Sequence, residues 1–302
     1  MLVPDFVKSR STTGRIYEWD GSQYAYAGDY GNAEGFELKK LRAPVKNEVQ
    51  FGVNRELAPN LALGGRFILS RTQYYFEDDE SNLIWNADGS DAIGFKDGVD
   101  HYIFRLKTPA NAYRDYRGIE LTLSKALSNG WLVDGSYTLA DARGTNDAPI
   151  TAFADNPVQN KYLDGAELPY NVANALKIQT TKELPYGFTV GAAYFFETGN
   201  PYDRLYFNNY YQSNQDYRDK PGQFHYEPSQ SIDLRGQWAR KFGRNTLSVF
   251  ADVFNVMDSR TVELRQTEYD PELSDSDPEQ PFGRVLQKQD PLSARLGVRY
   301  NF

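Results

Sequence analysis

Apolar and polar residues alternate with a period of two along most of this chain, the signature of strands whose two faces meet different surroundings. Val49, Phe51 and Val53 interleave with Glu48, Gln50 and Asn54. The spacing repeats in Leu61, Leu63, Phe67 and Leu69, in Ile119, Leu121 and Leu123, and in Trp131, Val133, Tyr137 and Leu139. It returns in Leu176 and Ile178, in Phe188, Val190, Ala192, Tyr194 and Phe196, and in Ile232, Leu234 and Trp238 ahead of Leu247, Val249 and Val253. The last stretch, LSARLGVRYNF, alternates from Leu292 to Phe302. No segment carries the 3.6-residue period of an amphipathic helix, so the pattern predicts an all-β chain. Nine spanning strands are expected, near 47–57, 61–76, 114–127, 131–141, 172–184, 188–198, 229–241, 245–255 and 291–302.

The connections fall into two sizes that alternate. Ala58-Pro59-Asn60, Ser128-Asn129-Gly130, Pro185-Tyr186-Gly187 and Gly243-Arg244 are short, whereas 77–99, 142–171, 198–228 and 256–290 are long. Unstructured loops beyond about 12–15 residues are uncommon in compact soluble domains. Short turns at one end and long loops at the other are the layout of outer-membrane barrels, with the turns in the periplasm and the loops outside the cell. The predicted fold is therefore an antiparallel transmembrane β-barrel.

Face parity tests the turns. Around Ser128-Asn129-Gly130 the apolar face is odd-numbered on both arms, which requires a loop of odd length. A three-residue loop with Gly130 left-handed fits, and Asn60 and Gly187 take that role in their turns. Around Gly243-Arg244 the apolar face changes from even to odd, so a two-residue type II′ turn is expected, with Gly243 first. That register sets Arg235 opposite Asp252 on the polar face.

Chain direction then restricts the remainder. HYIFRLK (101–107) lies between a rising and a descending strand, so it is expected to extend the descending strand or to join a loop hairpin. Bacterial barrels use even strand numbers, and nine strands cannot close one. Either residues 11–30 add a tenth strand or these strands end a larger barrel. Residues 1–46 form a preceding extracellular region and 47–302 the barrel strands.

Composition narrows the function. With 33 basic and 41 acidic residues the net charge is −8, against a nucleic-acid footprint. Cysteine is absent, which removes disulfides, thiolate metal sites and cysteine nucleophiles. The mean hydropathy is −0.65 and no apolar run approaches the roughly 20 residues of a spanning helix. Barrel strands expose only alternate residues to lipid, so a polar average leaves the membrane reading open. MLVPDFVKSR lacks the apolar core and cleavage site of a signal peptide.

YRGIELTLSKALSNGWLVDGSYTLADA, ELPYGFTVGAAYFFETGNPY, LSVFADVFNVMD and LSARLGVRYNF resemble the C-terminal half of TonB-dependent outer-membrane receptors. The likeness extends over roughly 35–302 and is nearest the Oar-like subgroup, which carries a carboxypeptidase-regulatory-type N-terminal domain. The resemblance implies a barrel of about 22 strands. It also implies an N-terminal plug, a TonB-contacting segment, and energy-coupled uptake of a large scarce nutrient, peptide, glycan or iron chelate. Plug, coupling segment and early strands are not in these 302 residues, so a piece of a longer receptor is expected.

Candidate chemistry is sparse. Glu120, Asp134, Lys177, Asp233, Arg235 and Asp252 fall on the polar face, towards a lumen or a plug, where a water-facing charge ladder is the plain alternative. NPYDRLYFNNYYQSNQDYRD (200–219) carries Tyr202, Tyr206, Tyr210, Tyr211 and Tyr217, whose rings offer rigid contact area with a polar tip. These tyrosines either contact ligand, pack loop on loop or sit at the membrane rim. Asp270, Glu272, Asp275, Asp277 and Glu279 match no calcium-ligand spacing, and NADGSD (86–91) reads as a turn cluster. His101 follows Asp100 without an adjacent serine, and His225 has no evident role. No catalytic residue, metal site or cofactor is predicted. Tyr300 and Phe302 reach the periplasmic aromatic girdle, and the terminal aromatic resembles the signal read by the barrel-assembly machinery. Outer-membrane lipid is the expected surrounding. The rival readings are a complete smaller barrel acting as porin, adhesin or surface enzyme, and a soluble β-sandwich binding module.

Overall fold

A computed structural model describes residues 14–19, 22–30, 36–38, 41–75, 77–79, 82–96, 98, 104–145, 156, 158–208, 213–269 and 281–302. Its main sheet is a meander of long strands: β1 (Val45–Ala58), β2 (Leu61–Gln73), β3 (Tyr113–Ser128), β4 (Trp131–Gly144), β5 (Asn174–Glu183), β6 (Phe188–Glu197), β7 (Ser229–Phe242), β8 (Asn245–Phe254) and β9 (Ser293–Asn301). Each strand is antiparallel to the next in sequence. β1 and β9 are the two edges, and the short strand Ala166–Glu167 adds to the upper end of β4.

The alternation sorts side chains onto two faces. One cross-strand row runs Val53, Gly65, Leu121, Tyr137, Leu176 and Phe196, all on the apolar face. That face is open: Phe51 is 71% exposed, Leu121 47% and Leu296 84%. Among the described residues, the buried hydrophobics of the nine long strands are Ile68 and Ala142, and both belong to the polar-face set. A sandwich would bury its apolar faces against a second sheet. Here the long strands form a single layer with its apolar side outward, which excludes the soluble β-sandwich.

The parity argument holds at the β5–β6 and β7–β8 turns and is revised at the other two. At the β1–β2 turn Ala58 pairs directly with Leu61, and an irregularity between Glu56 and Ala58 restores the even register, leaving the two-residue loop Pro59-Asn60. Asn60, Gly187 and Gly243 are left-handed, at φ of 68°, 82° and 63°. Arg235 pairs with Asp252. At the β3–β4 turn, however, both Asn129 (φ 53°) and Gly130 (φ 66°) are left-handed, as a type I′ turn requires. Ser128 pairs directly with Trp131, and an irregularity between Lys125 and Ser128 restores the even register. A Cβ at Gly130 would stand 3.2 Å from the Glu183 carbonyl oxygen, so glycine serves both conformation and space. Lys125 Nζ donates to the Ser128 and Trp131 carbonyls at 3.1 and 2.7 Å, and Lys182 Nζ donates to the Asn129 carbonyl at 3.0 Å.

Of the two alternatives for residues 11–30, the described part does not supply a tenth strand. Gly14–Trp19 and Tyr24–Tyr30 pair with each other and with no strand of the main sheet. At 6 and 7 residues, each is shorter than the roughly 9–11 residues a spanning strand needs. Phe104–Lys107 pairs antiparallel with Glu77–Asp79, just beyond the Gln73–Tyr113 end of β2 and β3, and parallel with Phe36–Leu38. Phe104–Lys107, the described part of HYIFRLK, thus contributes to an upward continuation of that hairpin. Among the described residues, the long connections hold further short hairpins and one helical turn, α1 (Asn160–Leu163).

Candidate functional site

The polar face carries its charges in cross-strand pairs. Arg66 on β2 and Glu120 on β3 are register partners, with Nε donating to Oε2 at 3.1 Å. Ser124 Oγ donates to Asp134 Oδ1 at 2.7 Å between β3 and β4. Asp233 accepts the Asn255 backbone N–H at 2.9 Å. Asp252 is buried to 4% exposure between two guanidinium groups, Arg235 at 3.2 Å and Arg295 at 2.8 Å. Arg295 was not foreseen; its signal was its polar-face place in LSARLGVRYNF. Arg235 also lies 4.3 Å over the Phe250 ring, which covers Gly297 so closely that any Cβ there would collide. Lys177 stands between two depressions, one lined by Ser124, Asp134 and Gln179 and the other by Tyr116, Thr138 and Tyr170. Lys177 is an exposed cation on this face.

Above this surface, the tyrosine-rich connection folds onto the 256–290 connection. Leu205–Asn208 pairs with Ser213–Asp216 on one side and in parallel with Glu268–Tyr269 on the other. Tyr202 contacts the rings of Tyr226, Phe224 and Phe282, with centroids 4.8, 5.7 and 6.0 Å away, and Tyr206 meets Tyr269 edge-on at 5.2 Å. Arg204 fills the middle of this box, 4.5 Å over Phe282 and 5.1 Å over both Phe224 and Tyr269. Cation–π contacts contribute most where solvent is excluded. Tyr206 donates its hydroxyl to Asp219 at 2.9 Å; burial, aided by that carboxylate, raises its phenol above the ordinary value. Tyr217 packs beside the buried Ala112 and Leu163, and its N–H donates to Gln159 Oε1 at 2.7 Å.

Of the five predicted tyrosines, Tyr202 and Tyr206 therefore join one cluster, Tyr217 joins another, and Tyr210 and Tyr211 lie outside the described residues. Arg204 between two tyrosines was visible in NPYDRLYF; Phe282 and Tyr269 gave no local signal, because they arrive from a connection far along the chain. His101, Asp100 and the acidic run 270–280 are also outside the described residues. His225 Nε2 stands 3.2 Å from Glu167 Oε1, linking two connections.

A third cluster ties three long connections at Gly89, in the NADGSD turn. Asn156 Nδ2 donates to the Gly89 carbonyl at 2.7 Å, and Asn208 Nδ2 reaches the same carbonyl at 3.4 Å and Asp216 Oδ1 at 2.8 Å. Asn208 is wholly buried and Asp216 is 2% exposed. Burial pushes the Asp216 carboxyl above its ordinary value, while the Asn208 hydrogen bond opposes the shift. Asp88 moves the other way, because the Ser90 N–H and hydroxyl both donate to it. Among the described residues, no group of three or more His, Cys, Asp or Glu side chains is arranged to hold a metal ion.

At the other end, Tyr300 accepts a hydrogen bond from Asn245 Nδ2 at 2.5 Å and stacks with Phe302 at 6.4 Å. Phe302 is 99% exposed.

No protein-family profile and no curated protein sequence matches the chain. Solved structures do match. The Escherichia coli outer-membrane transporter YddB aligns with TM-score 0.57 at 12% identity, over 89% of this chain and 34% of that one. Pseudomonas aeruginosa FpvA, solved with a ferric pyoverdine, gives 0.53 at 16% over 87% and 28%. The ferric preacinetobactin receptor BauA of Acinetobacter baumannii gives 0.52 at 13% over 85% and 29%. At such identities the likeness is one of fold. The chain has an outer-membrane β-barrel fold. It spans about a third or less of the length of these receptors.

Proposed function

We propose that this chain is a barrel segment of an outer-membrane TonB-dependent receptor, nearest the Oar-like subgroup, that binds a large ligand at its long loops for energy-coupled import. The observation that carries the proposal is the single-layer sheet, apolar outward and charge-paired inward, whose long connections are knit together at one end only. Fold likeness to outer-membrane transporters and receptors supports binding and transport over catalysis.

On this proposal the tyrosines at 202, 206, 210, 211 and 217 serve the ligand, with Tyr202, Tyr206 and Tyr217 also bracing the loops. Glu120, Asp134, Lys177, Asp233, Arg235 and Asp252 face a lumen occupied by water or by a plug from outside these residues. Tyr300 and Phe302 carry the assembly signal. The ligand is a nutrient, peptide, glycan or iron chelate.

The test compares cells with and without the full-length gene for uptake of a ferric catecholate, an oligosaccharide and a peptide, before and after collapse of the proton-motive force. Gene-dependent uptake of one probe, abolished by the collapse, is expected. Uptake of every probe independent of the gene or of the proton-motive force would overturn the proposal.

A further inference from the structure

The outward face is not charge-symmetric. At its upper end, acids stand among the bases: Asp115 and Asp141 lie with Arg71, Arg117 and Arg143, Arg71 forming a double hydrogen bond with Asp115 at 2.6 and 2.7 Å and Arg143 bonding Asp141 at 2.8 Å. A row slants across the face from Arg55, three residues from the end of β1, through Leu63, Leu123, Gly135, Ile178 and Tyr194 to Ile232, ten residues from the lower end of β7. From this row to the four short turns, the outward positions hold Arg55, Lys125, Lys182 and Arg240 and no aspartate or glutamate. Glu56 and Glu183, the acids nearest this end, belong to the polar-face set.

Aromatic rings interleave with these cations. Lys125 and Lys182 each lie 6.0 Å from the Trp131 ring, and Arg240 lies 5.5 Å over Phe242. Tyr186, at the tip of its turn, is 91% exposed. A belt of cations and amphipathic rings at the edge of an apolar band fits an interface whose polar groups are anionic.

We infer that the short-turn rim binds anionic phospholipid headgroups of the leaflet on that side, with Arg55 and Arg240 as the cations free of turn-building duties. Lys125 and Lys182 serve both tasks, because each already holds the Asn129–Gly130 turn. The inference rests on the membrane-spanning part of the proposed function and assigns a partner to a surface remote from the loops.

The full-length receptor is reconstituted in phosphatidylcholine vesicles containing spin-labelled phosphatidylglycerol or spin-labelled phosphatidylcholine, and the motionally restricted fraction of each is measured. Wild type should favour phosphatidylglycerol at low salt and lose the preference at high salt. In Arg55→Gln/Arg240→Gln, occupancy of the two affected positions should fall about fivefold each, equivalent to about 1 kcal/mol per basic side chain near the surface. An equal preference in wild type and variant, both normally folded, would overturn the inference while leaving the receptor proposal standing. Restriction of neither lipid would overturn the membrane-spanning reading, and this inference with it.

Discussion

Ile178→Arg, on the central strand β5, tests the apolar face directly. The outward positions of β5 are Asn174, Leu176, Ile178, Thr180 and Lys182, so Ile178 lies midway between two polar ends. Four residues separate it from each end, about 14 Å along the strand at ~3.4 Å per residue. With a strand tilt of about 40°, the polar ends are then about 21 Å apart in depth, close to the ~25 Å apolar band of outer-membrane barrels. Ile178 is already 38% exposed. If water covered this face, an arginine there would cost no more than about 0.5 kcal/mol, as exposed substitutions do. In a bilayer midplane it should cost about 2–4 kcal/mol. Two companions calibrate the result. Gln179→Arg, one residue on but facing inward, should cost less than about 1 kcal/mol, and Leu127→Arg, beside the β3–β4 turn, about 0–1 kcal/mol. The assay is reversible guanidinium unfolding of the full-length protein in phospholipid vesicles, read as differences in midpoint at constant slope. Three variants within about 0.5 kcal/mol of one another, or a larger cost at Gln179 than at Ile178, would refute a lipid-facing surface.

Two further outcomes are expected. The Asp216 carboxyl lies above its ordinary 3.8 in the folded protein, so folding favours its protonated form: stability falls as pH rises through the raised value, and the dependence flattens below 3.8. Protease cleavage of the 198–228 connection, normalised at each pH to Asp216→Asn, should therefore accelerate with rising pH; a flat ratio counts against the buried carboxyl as its cause. Deleting Phe302 should lower the amount of receptor assembled in the outer membrane without changing ligand binding per assembled molecule, and wild-type assembly of the deletion would disprove the signal.

The long strands were legible because period-two alternation persists over nine or more residues and the connecting turns constrain its parity. Boundaries shifted by a few residues at most, as in β5, expected at 172–184 and found at Asn174–Glu183. Arg235 opposite Asp252 followed from turn length alone. For residues 11–30 the sequence leaves the matter open, because strand-number parity calls for a further strand without saying where; the described part forms a hairpin of its own. The loop clusters were illegible for a different reason. Asn156, Asn208 and Gly89 come from three connections, and Arg204, Tyr269 and Phe282 from two, in segments too short to show any period. Their contacts are set by long-range geometry, for which local pattern has no counterpart. The β1–β2 and β3–β4 turns erred more narrowly, each a two-residue loop beside a register irregularity where a loop of three was expected; Asn-Gly accommodates a type I′ turn as readily as a glycine-terminated loop of three.

The odd number of strands in the main sheet bears on how copies of the chain can associate. Directions alternate from β1 to β9, so both edges point the same way across the membrane. Two copies in the same orientation could join β9 to β1 only as parallel neighbours. An antiparallel seam between identical edges would turn one copy upside down, with its long loops in the periplasm. Membrane topology thus forbids this sheet from completing an antiparallel ring with its own kind, whatever the concentration. A ring antiparallel throughout would need an odd number of further strands between β9 and β1.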